Sequence, residues 1–371
     1  MAYRVIIVEE NADLLEDMVI KLRRSPDFEV AATYKNGNAA INPSGMFRPD
    51  LFLMNIDDDE VLDTIPDFVK KFPGAYILGM MERWDPLIAR DALIGGATGC
   101  ILKPFTAKEV LEYIQLYSAR GEHKPAKLIS FFSPKGRAGR TTLAAILALL
   151  IAEKTGERVA LIDADLQFGD LPIFFDVVPK RTVVDATQDI NLLTPVTFAP
   201  YFLPIKDGVS LLGSPERPEY AELVSPEALT DVVMMSGNIF RYVLIDLPAG
   251  FNPLALSVCR ISDIVFITTM INSGFEVNHT RKTMEMFAAQ DDGHRQVRSV
   301  FTRVNPFTEE ERQKIADKLG FPVDNMIPNE YRMISVANSG RLAQGLPKDT
   351  LLMKTISAMA DKIIGAGVGN G

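Results

Sequence analysis

The chain has 371 residues, too many for one compact core and enough for two domains of ordinary size. Apolar residues make up 47% and charged residues 23%, a globular and not a disordered composition. A net charge of −9 argues against a general nucleic-acid binder, whose affinity rests on Lys and Arg, and two isolated cysteines, Cys100 and Cys259, argue against a zinc or iron–sulfur cage within one chain.

Low cysteine use fits a reducing compartment. The opening MAYRVIIVEE has no basic n-region and long apolar stretch, so no signal peptide is expected. The longest apolar run, Leu143 to Ala152, falls short of the roughly 20 residues that span a bilayer. A cytoplasmic location follows as the expectation.

From Tyr3 to about Tyr117, β-rich runs alternate with amphipathic segments. Arg4–Val8, Glu29–Thr33, Leu51–Asn55, Ala75–Leu78 and Gly99–Leu102 read as strands. Ala12–Arg24 carries Leu14, Leu15, Met18, Val19 and Leu22 at helical spacing. Such alternation predicts an α/β fold with a parallel sheet covered on both faces, and ligands beyond the carboxyl ends of its strands.

Three features at those strand ends resemble a bacterial response-regulator receiver: the acidic pair Glu9-Glu10, the run ending at Asn55, and Lys103-Pro104-Phe105. In a working receiver an aspartate that accepts phosphate ends the third strand. Asn55 stands there instead, and an amide oxygen is a poor nucleophile with no charge for magnesium. The usual Ser or Thr of strand four is replaced by Gly79 or Met80. Asp57, Asp58 and Asp59 are the alternative acceptors, but they lie past the strand end in an acidic turn. The expectation is a docking module that is not phosphorylated, with Glu9, Glu10, Asn55 and Lys103 as a degenerate receiver site in a domain over 1–120.

Residues 121–126, GEHKPA, read as a linker, with His123 solvent-exposed. A second domain is expected over 127–371. Its first run, Lys127–Ser133, leads through Pro134-Lys135-Gly136-Arg137-Ala138-Gly139-Arg140-Thr141-Thr142 into the helical stretch Leu143–Ile151. Strand, glycine-bearing loop and helix form the arrangement that cradles phosphates on backbone N–H groups and the positive helix end. Against the pattern G-x-x-x-x-G-K-[ST], Gly139 and Thr141 fit directly, while Pro134 and Arg140 depart from it.

Four motifs follow this loop in order. The loop resembles the K-G-G-x-G-K-T-T loop of the MinD/ParA ATPases, with Lys135 at that group's signature lysine. RVALIDADLQFGD (158–170) ends a strand in Asp163-x-Asp165. RYVLIDLPAG (241–250) resembles a Walker B strand ending in Asp246. VFTRVN (300–305) places Asn305 where the family reads adenine, and Ile327-Pro328-Asn329-Glu330 resembles the segment closing over the base. The resemblance implies a P-loop NTPase fold that binds ATP and Mg2+. Lys135, Gly136, Arg137, Ala138, Gly139, Arg140, Thr141 and Thr142 with Asp246, Asn305, Pro328, Asn329 and Glu330 would hold the nucleotide. Thr141, Asp163 and Asp246 would serve the metal, Asp165 would orient water, and Lys135 would reach across a dimer.

Arg140 is the departure with chemical consequence. Lysine is a compact point charge in this loop, whereas Arg is planar, bulkier and forked, so phosphate binding survives the swap more readily than hydrolysis does.

A receiver-like domain ahead of a MinD/ParA-like domain resembles the TadZ/CpaE family of tight-adherence (type IVc) pilus systems. That implies a nucleotide-linked homodimer, gathered at a cell pole on the inner-membrane periphery. It would recruit the pilus secretion motor ATPase and other assembly proteins, with weak or no hydrolysis and no nucleic acid. The alternatives are an active ParA/MinD positioning ATPase on DNA or membrane, a two-component regulator, which Asn55 opposes, and a nitrogenase-reductase-like carrier, which lacks its cysteine pair. The last amphipathic helix, Thr350–Ile364, has Asp361 opposing Lys354 and Lys362 and is expected to pack on its own domain, leaving only indirect membrane contact.

Overall fold

The computed structural model describes residues 2–118, 126–271, 274–290, 295–305, 308–347 and 349–365. It divides into two compact units. The first is Met1–Ala126 with Asn191–Ala199 and Met234–Arg241; the second is Lys127–Ile190 with Pro200–Val233 and Tyr242–Gly371. The units are therefore not contiguous in sequence: the first also takes in two short segments from beyond residue 127. The expected linker, Ala126 apart, and His123 lie outside the described residues.

The first unit carries β1 (Tyr3–Val8), β2 (Phe28–Tyr34), β3 (Leu51–Asn55), β4 (Tyr76–Met81) and β5 (Gly99–Leu102). They pair in parallel in the order β2-β1-β3-β4-β5. This is a doubly wound order whose switch point lies between β1 and β3. Ile6, Val8, Phe52 and Met54 feed one apolar cluster, while Val5, Ile7, Leu51 and Leu53 feed the other. Burial on both faces explains why these strands are continuous apolar runs and not alternations. The helix Ala12–Arg23 starts where the Asn11 side chain accepts from the amides of Asp13 and Leu14.

Register resolves the strand-four position: Asn55 stands opposite Met80, and Gly79 opposite Met54. A Cβ on Gly79 would come 2.6 Å from Ile56 Cδ1, so glycine there makes room for the residue after Asn55.

The second unit carries β6 (Lys127–Phe132), β7 (Val159–Asp163), β8 (Leu203–Lys206), β9 (Val209–Leu212), β10 (Tyr242–Asp246), β11 (Ile264–Met270), β12 (Gln296–Val304) and β13 (Asn325–Pro328). Their order is β13-β12-β11-β6-β10-β7-β9-β8, parallel except for the edge strand β8. β6 and β10 sit inside the sheet, so the loops after them open at its middle. The helix Arg140–Thr155 is buried from Leu143 to Ala152, and its Leu/Ala composition suits a helix enclosed nearly all round.

The helix Leu351–Gly365 lies against it. Leu352, Met353, Ile356, Met359, Ala360 and Ile363 join the same apolar core. Lys154 pairs with Asp361 at 2.7 Å, and Lys127 Nζ donates to the Ile363 carbonyl at 3.0 Å. Its apolar face is consumed within its own unit. Among the described residues no helix is long and apolar enough to cross a membrane.

Candidate nucleotide-binding site

The loop after β6 is held from three sides. Ser133 Oγ donates to the Lys135 carbonyl at 2.5 Å, the Gly250 amide donates to the Ser133 carbonyl at 2.9 Å, and Thr302 Oγ1 donates to the Ala138 carbonyl at 2.8 Å. The loop from β10 and the strand β12 thus fix its carbonyls. The amides of residues 136–139 find no acceptor among the described residues. Gly139 caps the helix at φ 74°, and Arg137 adopts φ 64°. A left-handed conformation costs a non-glycine residue about 1–2 kcal/mol. Arg137 therefore stands where the backbone favours glycine, and its side chain is exposed. Unused amides at the start of a 16-residue helix form an anion cradle.

The first helical turn carries the departure. Arg140 is 7% exposed; its Nη1 donates to the Leu247 carbonyl, and its Nη2 lies 3.6 Å from Asp165 Oδ2. One guanidinium thereby joins the segment after β7 to the segment after β10. A lysine ammonium, a single point, has no such fork. Next to it Thr141 Oγ1 donates to Asp246 Oδ2 at 2.5 Å.

Asp163 and Asp246 are register partners at the ends of β7 and β10, and both are buried. Burial pushes the Asp246 carboxyl up to about 6, although Arg140 and the Thr141 hydroxyl pull the other way. Asp163 is raised well above the usual range, first by burial and then by the nearby Asp246 charge. Asp163 Oδ2 accepts from the Leu171 amide at 3.1 Å and from Ser214 Oγ at 3.2 Å. Gly169 passes so close that a Cβ there would lie 2.4 Å from both of those oxygens. One oxygen of Asp163 thus anchors the segment that carries Asp165, whose Oδ1 accepts from the Phe168 amide at 3.4 Å.

The remaining oxygens bear on a metal. Asp163 Oδ1 and Asp246 Oδ1 are buried without a hydrogen-bond partner. Two orphaned carboxylate oxygens beside a threonine hydroxyl fit a hydrated Mg2+, a hard cation that takes oxygen donors and keeps several waters.

The structure places the other expected residues unevenly. Asn305 follows β12 and is exposed, and the Asn329 amide donates to the Val304 carbonyl at 3.0 Å, so Asn305 and Pro328-Asn329 flank one strand end. Glu330 accepts two bonds from the Arg332 guanidinium, at 2.9 and 3.0 Å, and one from the Arg332 amide at 3.2 Å. That partner holds its carboxyl below the usual range. Lys135 is exposed, and Thr142 is half-buried outside the hydrogen-bonded cluster. Sequence reasoning missed Thr302, Ser214 and the Leu247 carbonyl. Thr302 sits within the quoted VFTRVN run, whereas Ser214 carried no signal.

In the first unit, Lys103 Nζ lies 3.1 Å from Glu9 Oε2, 2.8 Å from Asn55 Oδ1 and 3.2 Å from Asp57 Oδ2. Asn55 Nδ2 donates to Glu9 Oε1 at 3.4 Å. Glu10 is exposed and makes no hydrogen bond in this cluster. Asp57, weighed only as an alternative acceptor, is a full member of it.

The family model described as CobQ/CobB/MinD/ParA nucleotide binding domain matches residues 129–343, more than half of the chain. The chain belongs to this family. It is 30% identical over 161 residues to an uncharacterized ATP-binding protein, MJ0169, of Methanocaldococcus jannaschii, a match covering 43% of this chain and 59% of that protein. The match therefore spans little more than half the length of that relative. Towards the N-terminus it is 27% identical over 112 residues to the chemotaxis protein CheY of Listeria monocytogenes, covering 30% of this chain and 94% of CheY. Among solved structures, septum site-determining MinD complexed with Mg-ADP from Pyrococcus horikoshii superposes with TM-score 0.55 at 20% identity, over 66% of this chain and 100% of that one. The fold class is α/β, with a MinD/ParA-type second unit and a CheY-like first unit.

Proposed function

We propose that this member of the MinD/ParA family is an ATP-binding localisation protein that dimerises through its nucleotide-binding unit and hydrolyses ATP weakly or not at all. The observation that carries the reading is Arg140. Its guanidinium sits at the head of the phosphate loop and is joined to both the Leu247 carbonyl and the Asp165 carboxylate. In this reading Asp165 would orient an attacking water, and the ion pair with Arg140 draws it away from that task.

Binding rests on the other groups. The amides of residues 136–139 would receive phosphate oxygens, and Thr141, Asp246 and Asp163 would hold Mg2+. The metal would neutralise phosphate charge, on which phosphoryl transfer depends. Asn305 with Pro328 and Asn329 would flank the base. Lys135, exposed at the loop, would reach a partner copy's nucleotide.

A receiver-like unit joined to such a domain supports the TadZ/CpaE reading: a cytoplasmic scaffold, peripheral to the inner membrane at a pole, that recruits a pilus motor ATPase. Its two domains would span 1–120 and 127–371. A second reading, an active positioning ATPase, draws on the retained Thr141–Asp246 pair. Sedimentation with ATP and Mg2+ separates binding scaffold from inert fold: a dimer that forms with ATP, persists for hours and fails in Lys135→Ala supports the proposal. A dimer that decays with phosphate release supports the active ATPase, and a monomer throughout removes the nucleotide-linked dimer.

A further inference from the structure

The degenerate receiver site contains a relationship that the missing phosphate acceptor does not explain. Asp57 lies two residues past the end of β3, and its amide donates back to Asn55 Oδ1 at 3.3 Å. Its Oδ2 does two things at once. It lies 3.2 Å from Lys103 Nζ, just beyond β5, and it accepts the Glu82 amide, just beyond β4, at 2.9 Å. One carboxylate oxygen therefore ties together the loops at the carboxyl ends of three neighbouring strands.

Charge accounts for its place. Lys103 is 4% exposed at its side chain, and Glu9 is 1% exposed. A buried ammonium and a buried carboxylate neutralise each other, and the third strand end, Asn55, supplies only a neutral amide. The outward side of Lys103, together with the Glu82 N–H, still presents a positive, donor-rich corner. Asp57, one-third exposed, closes it from the solvent side. A lysine and a backbone amide converging on one oxygen is the donor set that holds an oxyanion.

We propose that the Asp57 carboxylate is a built-in anion that fills, from within the chain, the corner where Lys103 and the Glu82 amide would otherwise hold an oxyanion. The loops after β3, β4 and β5 are then fixed together without any covalent modification. A small phosphodonor finds neither a nucleophile at Asn55 nor a free anion corner. The unit is held permanently in its anion-bound arrangement and does not act as a switch.

The full-length chain tests this with two measurements. Hydrogen exchange of the Glu82 amide is compared in the wild type, Asp57→Ala and Asp59→Ala. Asp59 is a neighbouring acid that begins the next helix and does not touch Lys103, so it controls for general charge removal. The expected result is exchange at Glu82 at least about tenfold faster in Asp57→Ala, the equivalent of about 1.4 kcal/mol of opening free energy, and unchanged in Asp59→Ala. Separately, Asn55→Asp restores a carboxylate at the end of β3, and beryllofluoride with Mg2+ is titrated by fluorine NMR. Asn55→Asp alone should give no bound signal, whereas Asn55→Asp with Asp57→Ala should give one. Unchanged Glu82 exchange in a folded Asp57→Ala chain overturns the proposal, as does equal beryllofluoride binding by the single and double variants. If neither variant binds beryllofluoride, the exchange result decides.

Discussion

Asp163 and Asp246 end two adjacent parallel strands in register, yet they do different work. Asp246 turns one oxygen to the Thr141 hydroxyl at 2.5 Å, while Asp163 turns one to Ser214 and the Leu171 amide. The first carboxylate reaches the phosphate loop, and the second holds the segment that carries Asp165. Each keeps one buried oxygen without a partner.

The Asp246 carboxyl, raised to about 6, sets a pH dependence. In the unfolded chain an aspartate titrates near 4. Between about pH 4 and 6 the native state binds more protons than the unfolded state, so this group makes stability fall as pH rises through that window and level off above it. Asp246→Asn removes the effect. Its stability relative to wild type, from urea melts in the absence of nucleotide, should increase by roughly 1–3 kcal/mol between pH 4 and pH 7. A constant difference across that range would contradict the assignment. Mg-ATP binding by wild type should weaken as pH falls below about 6, since the ionised carboxylate is needed.

Gly169 is predicted to tolerate no side chain. Gly169→Ala would place a methyl 2.4 Å from Asp163 Oδ2 and Ser214 Oγ, and should lower stability by about 1–3 kcal/mol in thermal or urea melts. Part of the loss should return in the double variant with Ser214→Gly, because the two sites share one space. Full additivity of the two changes would show that the crowding lies elsewhere.

Ile356, at 2% exposure, tests the C-terminal helix. Ile356→Ala should destabilise the chain by about 2–5 kcal/mol, the range for emptying a packed core site. Co-sedimentation of the wild type with anionic liposomes should show no binding that depends on this helix. Liposome binding lost on deleting the helix would mean that its apolar face leaves the core.

Much of this architecture was legible in the sequence, for physical reasons. Leu51–Asn55 and Gly99–Leu102 were read with their observed limits, because strands buried on both faces are short uninterrupted apolar runs. The helix after the phosphate loop was read from Leu143 but starts at Arg140, since its first turn is polar and carries the site. β4 was read as ending at Leu78 but runs to Met81, because Gly79 reads as a strand breaker while serving to admit Ile56. The hairpin of β8 and β9 went unread; its short edge strand has a proline, Pro204, and a lysine, Lys206, at its exposed positions. The phosphate loop was visible as a local motif, whereas Thr302 reaches it from β12, the Leu247 carbonyl meets Arg140 from just beyond β10, and Ser214 meets Asp163 from just beyond β9. Asp57 was legible only as one of three acids in a turn, because nothing local marks which of them meets Lys103.

Arg140→Lys tests the account of hydrolysis. The ammonium cannot span the Leu247 carbonyl and Asp165 together, so Asp165 is released towards the phosphate side. Phosphate release under ATP and Mg2+ should rise by at least about tenfold, equal to about 1.4 kcal/mol of barrier, and Asp165→Ala in the same background should abolish the gain. A wild-type rate equal to that of Arg140→Lys would remove the Arg140–Asp165 pair as the cause of slow turnover.

The most direct measurement is calorimetric titration of the full-length protein with ATP and Mg2+ at pH 7.5, repeated on Asp246→Ala. The account predicts micromolar binding by the wild type and a loss of at least about tenfold in the variant, the size expected when one metal-holding carboxylate is removed. No heat of binding from the folded wild-type protein would contradict it, leaving Arg137 and Arg140 as residues that close the loop to nucleotide.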